Sequence, residues 1–230
     1  IDNDGLKTIK NNPEPRRLCL FESLYFSRPD SRVDGKSIYL SRNEAGRILA
    51  REHPVDADIV IGAPDSGIVA AIGYAEESKI PYAEGIIKNR YVGRTFIQPT
   101  QELRDQGVKI KLNVLKENVE GKRIILVDDS IVRGTTIKRT VEMLKKAGAK
   151  EVHVRISSPP VVSTCYLGMD TPSEDQLVAA NLSTEEICKR TGADSLEHIS
   201  LEGLIEASGN GNNGFCTGCF SRKYPIDKEV

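Results

Sequence analysis

Charge of one sign is what this chain has least of. Its 32 basic and 33 acidic residues leave a net charge of −1, so no field draws it onto nucleic acid or a membrane surface. No run approaches the ~18 apolar residues of a membrane span, and no secretory signal is visible at the N-terminus. An initiator methionine is also missing. The sequence opens on Ile1 and reads as an excised part of something longer. Internal repeats of solenoid length are absent. Histidine is scarce, and His53, His153 and His198 are scattered, which suits structural or surface roles. The remaining picture is a cytoplasmic chain of 230 residues, 39% hydrophobic, long enough for one large domain or a domain plus an appendage.

The most informative stretch is Arg-Ile-Ile-Leu-Val-Asp-Asp-Ser-Ile-Val-Arg-Gly-Thr-Thr at 123–136. A short apolar run rich in β-branched residues, Ile124 to Val127, predicts a strand buried on both faces. Asp128 and Asp129 stand where that strand ends, the position at which open parallel sheets bind ligands. Arg133, Gly134, Thr135 and Thr136 then lead into a helix whose apolar face is Ile137, Val141 and Leu144. The free N–H groups of Gly134 to Thr136, with two hydroxyls, form an anion nest at a helix N-terminus. One segment thus offers carboxylates for sugar hydroxyls and a cradle for phosphate. Two acids alone would suit a solvated strand–turn–helix; the whole combination favours a site.

This run resembles the motif of the type I phosphoribosyltransferases. The resemblance implies that the paired acids hold the ribose hydroxyls of phosphoribosyl pyrophosphate with Mg²⁺ nearby, that the loop holds the 5-phosphate, and that Ser130 and Arg133 are among the substrate-binding residues. It also implies an α/β fold with a mostly parallel sheet and flanking helices.

Elsewhere the layout recurs. Asp58 to Ile61 predicts a second buried strand, followed by the turn Gly62-Ala63-Pro64-Asp65-Ser66-Gly67 and an apolar helix from Ile68 to about Glu77, again with free amides facing a possible anion. A helix is expected over Ser41 to Glu52, with Ala45, Ile48 and Leu49 on one side and Ser41 as N-cap; Gly46 in its interior counts against it. Residues 80–87 and 151–156 read as strands, the latter alternating Val152, Val154 and Ile156. Lys88, Arg90 and Arg94 surround Gly93 in a basic loop over 88–99, read as a lid over pyrophosphate. Residues 1–16 read as a linker and 17–170 as the core. From Thr171 to Val230 a helical extension is expected, with helices over 174–180, 184–190 and 196–207, the second opened by a Ser183/Glu186 capping box.

Five cysteines complete the inventory. Cys216 and Cys219 make a C-x2-C, the tightest spacing for two thiolates on one metal centre. Further ligands must come from Cys19, Cys165 or Cys188, and Cys188 reads as a small buried residue of a helix. Zn²⁺ and an iron–sulfur cluster fit four thiolates equally well.

Here the resemblance narrows. The runs at 25–31, 63–67, 88–99, 127–136, 158–160 and 165–172 are similar to the phosphoribosyltransferase part of the glutamine phosphoribosylpyrophosphate amidotransferase family. In its Bacillus-like branch four cysteines carry a structural [4Fe–4S] cluster, and Cys19, Cys165, Cys216 and Cys219 match those positions. That implies a cluster clamping the C-terminal segment, beyond the flexible 208–214 stretch, to the core. The resemblance implies ammonia displacing pyrophosphate at C1, giving 5-phosphoribosylamine for purine synthesis, with Mg²⁺ on Ser66, Asp128 and Asp129. Asp65, Ser66 and Gly67 would face the pyrophosphate, and Lys88, Arg90 and Arg94 would cap it. Homo-oligomers and inhibition by purine nucleotides are implied too. The family's N-terminal glutaminase, with its leading nucleophilic cysteine, has no counterpart here, so ammonia rather than glutamine is the expected substrate.

Overall fold

The computed structural model describes residue 5 and residues 17–89, 112–209 and 214–226. The chain begins with β1 (Leu18–Cys19), a π-helical turn at Glu22–Phe26, and a hairpin of β2 (Arg32–Val33) and β3 (Lys36–Ser37). Then come α1 (Ile38–Glu52), β4 (Ile59–Gly62), α2 (Ile68–Ser78), the antiparallel pair β5 (Ile86–Lys88) and β6 (Leu112–Val114), and α3 (Lys116–Val119). The second half holds β7 (Arg123–Asp128), α4 (Thr135–Lys146), β8 (Glu151–Ile156), α5 (Val178–Asn181), α6 (Thr184–Thr191), β9 (Ser195–His198), α7 (Leu201–Ser208), β10 (Phe215–Cys216) and α8 (Gly218–Ser221). The central sheet runs β4-β7-β8-β9, all parallel. Among the described residues no helix is long and apolar enough to cross a membrane.

Strand alternation divides the core into two layers. Val60, Ile125 and Val127 turn to one face and pack with Leu49 of α1 and Ala71 and Tyr74 of α2. Ile59, Ile61, Ile124 and Leu126 turn to the other and meet Ile137, Val141 and Leu144 of α4 and Ile187 of α6. Covering both faces is what a parallel sheet requires, and it leaves the strands' carboxyl ends free for a site.

Several expectations change. Helix α1 starts four residues, about one turn, earlier than its apolar stripe suggested: Ser37, not Ser41, is the N-cap, and its Oγ accepts from the Leu40 N–H at 3.4 Å. Ser41 instead donates to the Ser37 carbonyl at 3.1 Å. The strand over 80–87 shrinks to Ile86–Lys88 plus a bridge from Tyr82 to Val60. Pro81 has no N–H to give a ladder, although its carbonyl accepts from Val60 at 2.9 Å. Alternation in β8 suggested one wet face, yet both faces are buried. Arg155 is 3% exposed, donating to the His53 carbonyl and the Ser195 hydroxyl, each at 3.0 Å. Its polar groups are thereby satisfied inside the fold.

Beyond Thr171 the correction is larger. The capping box at Ser183 and Glu186 forms as read. Residues 174–180 break into a 3-10 turn (Glu174–Gln176) and the short α5. The helix expected over 196–207 is a strand, β9, followed by α7. Ser200 decides the break: its hydroxyl caps Gly203 at 2.9 Å, while Glu52 of α1 accepts the Ser200 N–H at 2.8 Å. Because β9 is the fourth strand of the central sheet, residues 171–226 are not only a helical extension. Most of the linker read over 1–16 and most of 208–214 lie outside the described residues.

Candidate active site

Two strand–turn–helix units place the site. Strands β4 and β7 are hydrogen-bonded neighbours, so the turns that follow them lie side by side. Their approach is close: a Cβ on Gly67 would sit 2.4 Å from the Val127 carbonyl oxygen and 3.0 Å from Asp128 Cα. Only glycine lets the 63–67 turn rest on the end of β7. Gly134, at φ +76°, takes the left-handed conformation that opens α4 and turns its first amides outward. Between these turns lies a cleft of about 370 Å³, lined by Ser66, Asp128, Asp129, Ser130, Arg133, Gly134, Thr135 and Thr136. The sequence had singled out all eight.

Asp129 is 5% exposed. It accepts a short hydrogen bond from Ser130 Oγ and one from the Ser66 hydroxyl, and its N–H donates to Asp128 Oδ1 at 2.9 Å. Burial pushes both carboxyls above the ordinary carboxylate range; for Asp128 the neighbouring Asp129 charge adds to the rise. Against it, the two serines and the Arg42 guanidinium favour the Asp129 anion. Such a pair is a strong acceptor awaiting donors or a cation.

Arg42 was missed by sequence reasoning. It sits in the polar run Ser41-Arg42-Asn43-Glu44, where nothing separates it from a surface cation. In the fold it is 5% exposed and donates to the carbonyls of Ser23 and Ser27 at 2.9 and 2.7 Å. It therefore fixes the π-helical turn, from which Tyr25 and Phe26, with Phe21, form an aromatic wall of the cleft. Met169 to Pro172, which also line the cleft, were likewise not assigned a role.

Not every expected residue enters the cleft. Asp65 and Lys88 pair with each other, Nζ to Oδ2 at 2.5 Å, and line a neighbouring groove with Ile68, Glu84 and Asn113. The Pro64–Asp65 peptide bond is cis. Arg133 does line the cleft, with its Nε donating to Gln176 at 3.2 Å. Arg90 and Arg94, with the rest of the lid, lie outside the described residues.

The four cysteines gather on the side of β1 and β10. These strands pair in parallel with Cys19 opposite Cys216. Cys219 lies buried in α8, and its carbonyl accepts from Val162 and Ser163 at 2.9 and 3.1 Å. Burial pushes the Cys219 thiol up to about 12, with Cys19, Cys216 and Cys165 adding to the rise. Among the described residues no group of three or more His, Cys, Asp or Glu side chains is drawn into metal-binding geometry. Cys188, on α6, donates to the Ala193 carbonyl at 3.4 Å. The tail has protein anchors of its own: Phe220 stacks on Phe21 with centroids 5.9 Å apart, Tyr224 packs on Tyr166 at 4.3 Å, and Arg222 pairs with Glu174 at 2.9 Å. A cluster is therefore not the sole means of fastening it.

Comparison with known proteins agrees with this geometry. The phosphoribosyl transferase domain model matches residues 40–157. The chain is 58% identical over 215 residues to amidophosphoribosyltransferase of Archaeoglobus fulgidus, covering 93% of this chain and 47% of the relative. To the Bacillus subtilis amidophosphoribosyltransferase it is 51% identical over 232 residues, 99% of this chain and 49% of the relative. Glutamine phosphoribosylpyrophosphate amidotransferase from B. subtilis, solved in complex with ADP and GMP, superimposes with a TM-score of 0.86 at 51% identity, over 99% of this chain and 51% of that one. The chain thus spans about half the length of these relatives. With the acid pair, the paired turns and the parallel sheet in place, it belongs to the phosphoribosyltransferase family and has the type I fold.

Proposed function

We propose that the protein displaces pyrophosphate from C1 of phosphoribosyl pyrophosphate with ammonia, giving 5-phosphoribosylamine, the first step of purine synthesis. The observation that carries this reading is the meeting of an acid pair and an anion-binding helix start in one cleft. Likeness to amidophosphoribosyltransferases selects the nucleophile. Asp128 and Asp129 accept the ribose hydroxyls. The amides and hydroxyls of Gly134, Thr135 and Thr136 hold the 5-phosphate. That orientation turns C1 toward the 63–67 turn, where Ser66 and the backbone amides face the leaving group. The ammonia lone pair bonds to C1 as the C1–O bond breaks, its electrons leave on pyrophosphate, and the new ammonium loses a proton to solvent. Positive charge growing on the sugar ring is stabilised by the acids; the protein's part is positioning and electrostatics. Phe21, Tyr25 and Phe26 limit competing water.

Carboxylates and a hydroxyl are the hard donors Mg²⁺ prefers, and Asp128, Asp129 and Ser66 would hold it. Bound there, it would neutralise charge on the pyrophosphate. In the full-length protein a glutaminase partner would supply ammonia from glutamine. The ADP and GMP in the B. subtilis complex support purine nucleotides as inhibitors, and we take a cytoplasmic homo-oligomer as the working assembly. The test is ammonia-dependent release of pyrophosphate from phosphoribosyl pyrophosphate, well above neutral pH where free ammonia is abundant. No release with ammonia and Mg²⁺ present would end this reading.

The thiols suit a structural [4Fe–4S] cluster on Cys19, Cys165, Cys216 and Cys219, soft donors gathered close enough to raise one another's pKa. Its chemistry would be a cross-link between β1, the 165 loop and the C-terminal turn. Purified anaerobically, the protein is expected to contain iron and sulfide. Serine at any of the four should release iron, while Cys188→Ser should retain it. Because of the anchors at Phe220, Arg222 and Tyr224, resistance of the tail to proteases should fall only partly. One tightly bound zinc per chain would contradict the cluster.

A further inference from the structure

The Asp65–Lys88 pair has a place in the fold but no role in the mechanism above. It joins the anion-facing turn after β4 to the end of β5, two elements that the central sheet does not otherwise tie together at that point. Both side chains reach solvent: Lys88 is 34% exposed and Asp65 62%. An exposed pair of this kind adds little to folding, so fold stability does not account for it. What it changes is local charge. Lys88 is a cation next to a turn whose neighbouring residue, Ser66, lines the cleft, and Asp65 cancels it. The other carboxylate on that groove is Glu84, and the ion pair of Lys88 is with Asp65.

We propose that Asp65 is an internal counterion for Lys88, a positioning residue that holds the ammonium at the edge of the pyrophosphate subsite and weakens the grip on pyrophosphate. A polyanion arriving at the turn exchanges the carboxylate for itself on Lys88. As pyrophosphate departs, Asp65 takes Lys88 back and lowers the barrier to release. The weakness of an exposed pair suits this exchange: it biases where Lys88 points but yields to a ligand of higher charge. The inference rests on the function proposed above, because it takes pyrophosphate as the ligand of that turn.

The experiment is calorimetric titration of the purified protein with inorganic pyrophosphate in the presence of Mg²⁺, for wild type, Asp65→Asn, Lys88→Ala and the double variant. Asp65→Asn is expected to bind roughly two- to fivefold more tightly, the range one exposed ion pair commands. Lys88→Ala should bind more weakly, and the double variant should match Lys88→Ala. Asp65→Glu, which keeps the charge, should stay near wild type. Circular dichroism checks that each variant is folded, which the exposure of both residues favours. Unchanged or weaker binding by Asp65→Asn overturns the counterion role, as does a gain that survives removal of Lys88. Either result leaves the functional reading standing if wild type still binds pyrophosphate. Failure of wild type to bind it would remove both.

Discussion

Asp129→Asn is expected to release pyrophosphate roughly a hundredfold more slowly than wild type while melting at the same or a higher temperature. The rate loss follows from deleting a charge that opposes the cationic sugar ring, an effect of ~3 kcal/mol on the barrier. The stability gain follows from burial. Asp129 is 5% exposed, and burial raises its pKa in the fold. The folded chain then holds a proton over a pH range where the unfolded chain has already lost it, so stability declines as pH rises from the unfolded value near ~4 through the raised one. At neutral pH the carboxylate is a net cost to the fold, and asparagine removes it while keeping an oxygen for Ser66 and Ser130. Activity assays and thermal melts at pH 7 measure the two halves. A variant with near-wild-type rate would detach the acid pair from the chemistry. One that melts far lower would mean that Ser66, Ser130 and Arg42 need the charge more than burial penalises it.

This inverts the usual relation between a buried group and stability, and it shows why the centre of the site was legible in sequence. Ile124 to Val127 is apolar at every position, so the only polar groups at its end had to be used or solvated. Gly134 and the two threonines then announced a turn with free amides. Arg42 carries no such mark, because its partners are backbone carbonyls of Ser23 and Ser27 that sequence cannot bring near. The same holds for β9. Ser195-Leu196-Glu197-His198 is too short and polar to show a period, and its strand character comes from pairing with β8. The C-x2-C spacing was visible, but Cys19 facing Cys216 depends on two-residue strands with no pattern to read. Asp65 and Lys88 were both singled out as ligands of pyrophosphate. Their pairing with each other is a tertiary contact between a turn and a strand end 23 residues apart, which local pattern does not encode.

Gly46→Ala is expected to destabilise the protein by ~2–4 kcal/mol, opposite in sign to what the helix alone would predict. In an isolated helix alanine is better than glycine by about 1 kcal/mol, and for that reason Gly46 counted against a helix over these residues. In the fold α1 and α2 cross with their backbones in near contact. A Cβ at Gly46 would fall 1.9 Å from the Ala70 carbonyl oxygen and 2.7 Å from its carbon, and one at Gly73 would fall 1.9 Å from the Asn43 carbonyl oxygen. The obstacle is backbone on both sides, so no side chain can swing away and the helices must part. Parting them loosens Leu49, Ala71 and Tyr74, all below 1% exposed or close to it in the packed layer on the sheet. Overpacking commonly costs ~1–3 kcal/mol and occasionally more; a 1.9 Å approach to backbone that cannot swing aside puts this site above that range, and subtracting the helix-propensity gain of about 1 kcal/mol leaves the net loss of ~2–4 kcal/mol. At ~2–4 °C per kcal/mol for a chain of this size, the melting temperature should fall by roughly 5–15 °C. Function should suffer with it, because α1 carries Arg42 and α2 begins beside the 63–67 turn. Gly73→Ala should behave alike, and the double variant should lose less than the sum, since helices already separated by one methyl have room for the second. Thermal or urea denaturation of the three variants decides it: a Gly46→Ala protein as stable as wild type would mean that the two helices do not meet at this glycine.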